Sequence, residues 1–180
     1  MAIVYFDTYE SGVNASTLMI IGTALFFMLV LIPSNNRVAL YVALEGMSLL
    51  LFVITAQSKT SVAVESGLKY FFQSSFASVF LLLGIAFMYA ETLSFNFDTI
   101  RIMIVQLPIS MQSVVGLFRI TSALLFKVSG FPGHFWSPDV YRGPTASVLT
   151  VFAVVVKLAV FFVLLRVFSQ LLTSIYVQFS

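Results

Sequence analysis

LLFKVSGFPGHFWSPDVYRGP, residues 124–144, sets Lys127 in an apolar helical run and follows it within five residues with Gly130 and Pro132. Proline has no amide proton to donate, clashes with the turn before it and disfavours helix at Phe131, so the helix should break here. A break frees backbone groups that lipid cannot satisfy, and it must be buried in protein or line a cavity. A charge at membrane depth beside a broken helix is the arrangement of a transport site.

The composition sets this run in a membrane. Of 180 residues 60% are hydrophobic and 9% charged, with a mean hydropathy of +1.06, whereas soluble domains carry about a quarter charged residues. The absence of cysteine excludes disulfides, thiolate metal sites, iron–sulfur clusters and cysteine nucleophiles. One histidine and few carboxylates argue against a metal site. The net charge of +2 is spread singly along the chain and forms no nucleic-acid surface. The start, MAIVYFDTYESGVN, lacks both the positive n-region of a secretory signal and the Arg-rich character of a transit peptide, which predicts direct insertion.

Five apolar segments are long enough to cross a hydrocarbon core about 30 Å thick. They cover 15–32, 37–56, 66–90, 108–131 and 145–172. The expected fold is an all-α integral membrane protein with one transmembrane domain over 1–180, its fourth helix broken near Gly130 and Pro132. Pro33-Ser34-Asn35-Asn36 makes a tight hairpin between the first two spans, and Gln57 to Ser61 is a short polar connection. FNFDTIRIMIVQL, with Asn96, Asp98 and Arg101, reads as a short interfacial helix. Within 132–144, Ser137 reads as an N-cap and Pro138 as the first residue of a new short helix. Charge does not orient the chain: Arg37 and Arg101 fall on one side, Lys59 and Arg142 on the other.

The charges at membrane depth are the candidate functional groups. Glu45 shares a helical face with Tyr41, Ser48, Phe52 and Thr55, while the rest of its span is apolar, so that stripe faces protein or water. Glu65 and Lys69 form a helix-favouring pair four residues apart, and Ser66 and Gln73 extend their polar side. Lys157 lies roughly 18 Å along its helix from Thr145 and shares a face with Thr150.

A lysine at a helix centre costs roughly 2.5–3.5 kcal/mol to insert. Two readings account for that cost. In one, buried acid and base pair off and fix helix packing. In the other, a water-linked chain of protonatable groups passes a proton, since desolvation weakens a lysine's hold on its proton and a carboxylate restores it. At about 4 Å and an effective dielectric of about 20 such a pair is worth roughly 4 kcal/mol, enough to load or eject a proton. Arg119 stays charged and reads as structural or lipid-binding, and Arg166 as a snorkelling residue. His134, inside the break, reads equally as a packing residue or as a proton link to Lys127. Trp136 and Tyr141 suit a membrane interface.

Four motifs in order then carry a family resemblance. FKVSGFPGHFWSPDVYRGP is similar to the pattern of a lysine, a proline break and His-x-Trp-x-Pro-Asp-Val-Tyr in the antiporter-like membrane subunits of respiratory complex I. ALEGMSLLLF resembles their glutamate helix, ESGLKYFFQSSFASVFLLLGIAFMYA their Leu-Lys-Tyr helix, and VVVKLAVFFVLLRVF their second lysine helix. The Pro-Asp-Val-Tyr wording favours subunit 2 of NADH:ubiquinone oxidoreductase, the chain lettered N in bacteria.

The resemblance implies a proton path in which Glu45 is the acidic modulator, Lys127 its partner, Lys157 the next lysine and Lys69 the lysine of the intervening helix. It implies a proton-translocating subunit of NADH:ubiquinone reductase, driven by quinone reduction elsewhere and holding no cofactor. Flavin, iron–sulfur clusters and quinone are then expected in partner subunits. Only one of the family's two inverted five-helix repeats is present, so the other is expected from a companion chain beside further membrane-arm subunits and lipid. Gly133 stands where a bulky apolar residue is usual, Arg119 where the helix is apolar, and Pro144 comes one residue early. The implied location is the mitochondrial inner membrane, with the bacterial plasma membrane as the alternative, and the loops at 57–65 and 132–144 facing the matrix. A non-conducting subunit of the same membrane arm and a subunit of a cation/proton antiporter are the competing functions.

Overall fold

A computed structural model describes residues 15–57, 60–106, 110–131, 133–144 and 146–179, with backbone alone at 101, 103–106, 146–147, 152 and 170–179. The expectations placed on residues 1–14, Lys59, Pro132, Thr145 and the Arg101 side chain lie outside this description. Among the described residues the regular structure is helical, with one isolated antiparallel bridge between Asn36 and Asn96.

Helix α1 spans Ala15–Leu31 and α2 spans Arg37–Ala56. The buried side of α1, Ile21, Ala24, Met28 and Leu31, follows helical spacing and packs on α2. Asn36 starts α2, its side-chain oxygen accepting from the Val38 amide at 2.8 Å. Helix α3 covers Ser61–Thr92, capped by Thr60, whose hydroxyl accepts from the Ala63 amide at 3.2 Å. It begins before the apolar run does, because the cap lies in the polar connection. Its 32 residues extend about 48 Å at 1.5 Å each, more than the hydrocarbon thickness of about 30 Å.

Two loops zip together at one end of the bundle. The Arg37 amide donates to Phe95 O and the Phe97 amide to Asn35 O, each at 3.0 Å, and Asn35 Nδ2 donates to Asp98. This latch leads into α4, Phe97–Gln106, and then α5, Met111–Val128. The Glu91 carboxylate at the end of α3 accepts from the hydroxyls of Ser110 and Ser113, tying it to the start of α5. Along their length α3 and α5 touch backbone to backbone: a Cβ on Gly84 would lie 2.8 Å from Gly116 O.

The chain then breaks and returns. A 3₁₀ turn at Gly133–Trp136 leads into α6, Ser137–Val140. Ser137 does not cap it, contrary to the sequence reading. The preceding turn is already helical, Trp136 occupies the cap position, and the Ser137 hydroxyl donates to His134 O at 3.1 Å. The last span comprises α7 (Ala146–Thr150), a π-helical segment at Val151–Val156 and α8 (Lys157–Phe179).

The stretches Arg37–Ala56, Ser61–Thr92, Met111–Val140 and Val148–Ser169 are long and apolar enough to cross a membrane. With 17 residues, α1 lies at the lower end of the range of about 17–25 that a span requires. The chain is a multi-pass helical membrane protein. Leu44, Met47, Leu51, Leu81, Leu124 and Val160 form its fully buried centre, while Phe72, Phe118 and Phe162 face outward, as suits a lipid solvent.

Candidate functional site

Helix α5 stops at Val128 because Ser129 turns left-handed, at φ 64°. That is three residues before the expected end, and it is an uncommon conformation for a residue with a side chain. The carbonyls it frees find donors. Leu125 O accepts from the Gly130 amide at 2.8 Å, and Phe126 O from the Ser129 amide at 3.0 Å and Trp136 Nε1 at 3.1 Å. Trp136, expected at an interface, is instead buried against the break as its donor. Gly133 is held small by its neighbour: a Cβ there would stand 2.7 Å from the Phe126 ring.

The short cap brings Lys127 against Glu45 of α2. Lys127 Nζ lies 4.0 Å from Glu45 Oε2, and their side chains are 7% and 25% exposed. Neither atom has a hydrogen bond to the protein. At this distance they attract as an ion pair but form no hydrogen bond.

Beside Lys127 is a cavity of about 20 Å³, lined with Tyr70, Gln73 and Ser74 of α3, Trp136, and Val156 and Val160 of the last span. A water needs about 10–15 Å³ and two to four polar partners. Lys127, Tyr70, Gln73 and Ser74 are the polar side chains among the lining residues.

The other expected site residues are placed as follows. Lys157 directly follows the π-helical segment, between Val156 and Val160 in sequence, but its Nζ lies 5.5 Å from the centre of the Tyr141 ring. Val156 and Val160 on either side of it line the cavity, whereas Lys157 itself is turned to the Tyr141 ring and is not among the lining residues. Lys69, nearly half exposed, pairs with Glu65 at 2.7 Å and Asp139 at 3.6 Å. It joins α3 to the broken segment, helped by the Ser66 hydroxyl donating to Asp139 O at 3.3 Å. Gln73, one turn on, links its face of α3 to the cavity. His134 is exposed and stacks 6.1 Å from Phe131. Among the described residues no three His, Cys, Asp or Glu side chains converge as metal ligands would.

Sequence reasoning passed over Tyr70 and Ser74. Their spacings of four and eight from Ser66 were the available signal, since all three fall on the buried side of α3. It also passed over Phe97, whose ring is flanked by the guanidinium groups of Arg37 and Arg166 at 5.1 and 5.4 Å. Arg166 does not simply reach for water: it donates to Ser34 O at 2.9 Å and Asn35 Oδ1 at 3.2 Å, fastening α8 to the latch.

The chain is a multi-pass helical membrane protein with a buried ion pair beside a broken span. The family model for the NADH:quinone oxidoreductase/Mrp antiporter transmembrane region matches residues 34–179, and the chain belongs to that family. It is 31% identical to NADH-quinone oxidoreductase subunit N 2 of Thermodesulfovibrio yellowstonii over 94% of this chain and 37% of that one. It is 38% identical to NADH-quinone oxidoreductase subunit N 1 of Rhizobium meliloti over 78% and 29% of the respective lengths. Among solved structures, it superposes on a chain of respiratory complex I from Thermus thermophilus with bound aureothin at a TM-score of 0.75 and 30% identity, covering 85% of this chain and 34% of that one. It also superposes on a chain of the membrane-bound sulfane sulfur reductase, an archaeal respiratory membrane complex, at a TM-score of 0.76 and 25% identity, covering 82% and 30%. The chain thus spans about a third of the length of its relatives.

Proposed function

We propose that this chain is a membrane-arm segment of a respiratory NADH:quinone oxidoreductase and carries one half of a proton path. The carrying observation is the buried contact of Glu45 and Lys127 beside a cavity sized for about one water. Closing the pair holds the ammonium form of Lys127. Opening it leaves a desolvated ammonium, which passes its proton to water held by Gln73, Ser74 and Tyr70 and is left as the neutral amine. Lys157 becomes the next acceptor once it has passed its own proton onward, and Lys69 with Glu65 and Asp139 forms the exchange point at the bundle end. His134 is a secondary link to the surface.

On this reading the chain works within a proton-translocating NADH:ubiquinone reductase but performs no redox chemistry. Flavin, iron–sulfur clusters and quinone belong to partner subunits, and the other half of the path lies outside these residues. The relatives named are bacterial, which favours the bacterial plasma membrane; the mitochondrial inner membrane is the alternative. Replacing Lys127 by Ala in the assembled complex is expected to lower protons moved per electron, and unchanged pumping would sink the assignment. The family description, which names Mrp antiporters too, supports a second reading as an antiporter subunit. Co-purification with flavin and iron–sulfur subunits decides between them.

A further inference from the structure

Arg119 is half-buried at the middle of α5, about 12 Å along the axis from Met111 at 1.5 Å per residue. Its guanidinium lies 5.0 Å from the centre of the Phe87 ring, and among the described residues it has no ion pair. A guanidinium does not shed its proton, and one contact with an aromatic face does not offset the cost of a charge at this depth. A counter-charge must come from outside these residues.

The same side of the molecule carries a groove of about 450 Å³ between α3 and α5. Phe80 and Phe118 wall it, and Ala77, Ala123, Gly130 and Gly133 lie along it. The exposed rings of Phe76, Phe118, Phe131 and Phe135 rim it and give an apolar surface for the side chains of another membrane helix. Ser122, also in the groove, lies one turn from Arg119, and Phe80 two turns from Phe87, so the charge and the groove form one continuous strip.

Lipid chains match the groove but bring no charge to its middle, because phosphates stay at the interface. A helix supplies both parts. We propose that this strip docks one transmembrane helix of a partner subunit, which lays apolar side chains along the groove and sets an Asp or Glu carboxylate against Arg119. The planar guanidinium suits a paired contact with a carboxylate. The proposal does not depend on whether the chain moves protons.

The test uses the full chain in its native membrane with a photo-crosslinking benzoylphenylalanine at position 118, and a second at outward-facing position 162 as control. The expected product at 118 is a peptide bearing Asp or Glu within a turn of the link, in an otherwise apolar run. Arg119→Leu should reduce its yield by about tenfold or more and Arg119→Lys should retain most of it. Links to lipid alone, links to a span without a carboxylate, no link at all, or equal yield from Arg119→Leu would each overturn the proposal.

Discussion

Lys127 Nζ and Glu45 Oε2 stand 4.0 Å apart, close enough to attract strongly and too far to hydrogen-bond. A pair built only to fix packing closes to hydrogen-bond distance, because that is how it offsets the loss of water around both charges. This one is held slightly open beside a cavity.

Removing one partner strands a buried charge, so Glu45→Gln or Lys127→Met alone should destabilise the fold by about 3–5 kcal/mol. The double variant Glu45→Gln with Lys127→Met should regain most of that stability without regaining proton pumping. Thermal unfolding in detergent and protons per electron in reconstituted complex measure the two properties separately. Pumping restored together with stability would reduce the pair to a packing device.

The cavity makes a separate demand. If a water held by Gln73 and Ser74 relays the proton, Gln73→Leu or Ser74→Ala removes one of its partners while leaving the Glu45–Lys127 contact in place. Proton transfer should slow about five- to tenfold, the equivalent of one lost hydrogen bond at about 1–1.4 kcal/mol. An unchanged rate in both variants would show that the relay does not pass here.

How much of this was readable depends on where the signals lie in the chain. Helix α2 begins and ends where the sequence puts it, because Asn36 caps it and Gln57 interrupts the apolar run. The start of α3 was missed by five residues, since hydropathy is blind to a cap such as Thr60 lying among polar neighbours. The left-handed Ser129 ends α5 early, and a serine gives no warning of that. The π-helical segment lies inside VFAVVV, where no polar residue marks it. At the site, helical spacing placed Glu45 on a protein-facing stripe, but its pairing with Lys127 came from resemblance, because no local pattern connects two distant helices. The burial of Trp136 and the latch through Phe97 are products of tertiary packing alone.

Gly133 and Phe126 behave as one volume. A methyl at 133 meets the Phe126 ring at 2.7 Å, so Gly133→Ala should cost about 1–3 kcal/mol by overpacking. Combining it with Phe126→Leu should recover a good part of that cost. Additive losses in thermal unfolding would show that the two positions do not exchange space.

Trp136 separates packing from hydrogen bonding. Trp136→Phe keeps a buried ring but takes away the donor to Phe126 O, an expected loss of about 0.5–1.5 kcal/mol, whereas Trp136→Ala should cost about 3–5 kcal/mol. Because the carbonyl belongs to the turn that carries Lys127, even the milder variant should loosen the break. Faster amide exchange at Ser129 and Gly130, with little change elsewhere, is the expected signature.

The last prediction concerns Lys157, whose ammonium rests 5.5 Å from the centre of the Tyr141 ring. An aromatic face attracts a lysine's ammonium group, so the ring holds the Lys157 side chain in place by about 0.5–2 kcal/mol. Tyr141→Phe preserves the face and should leave pumping near its normal rate. Tyr141→Leu removes it and should change the rate of the step through Lys157 by about 2- to 30-fold, the same energy expressed as a rate ratio. Equal effects from the two substitutions would mean that the hydroxyl or the bulk of Tyr141 matters, and that Lys157 is not held by its ring.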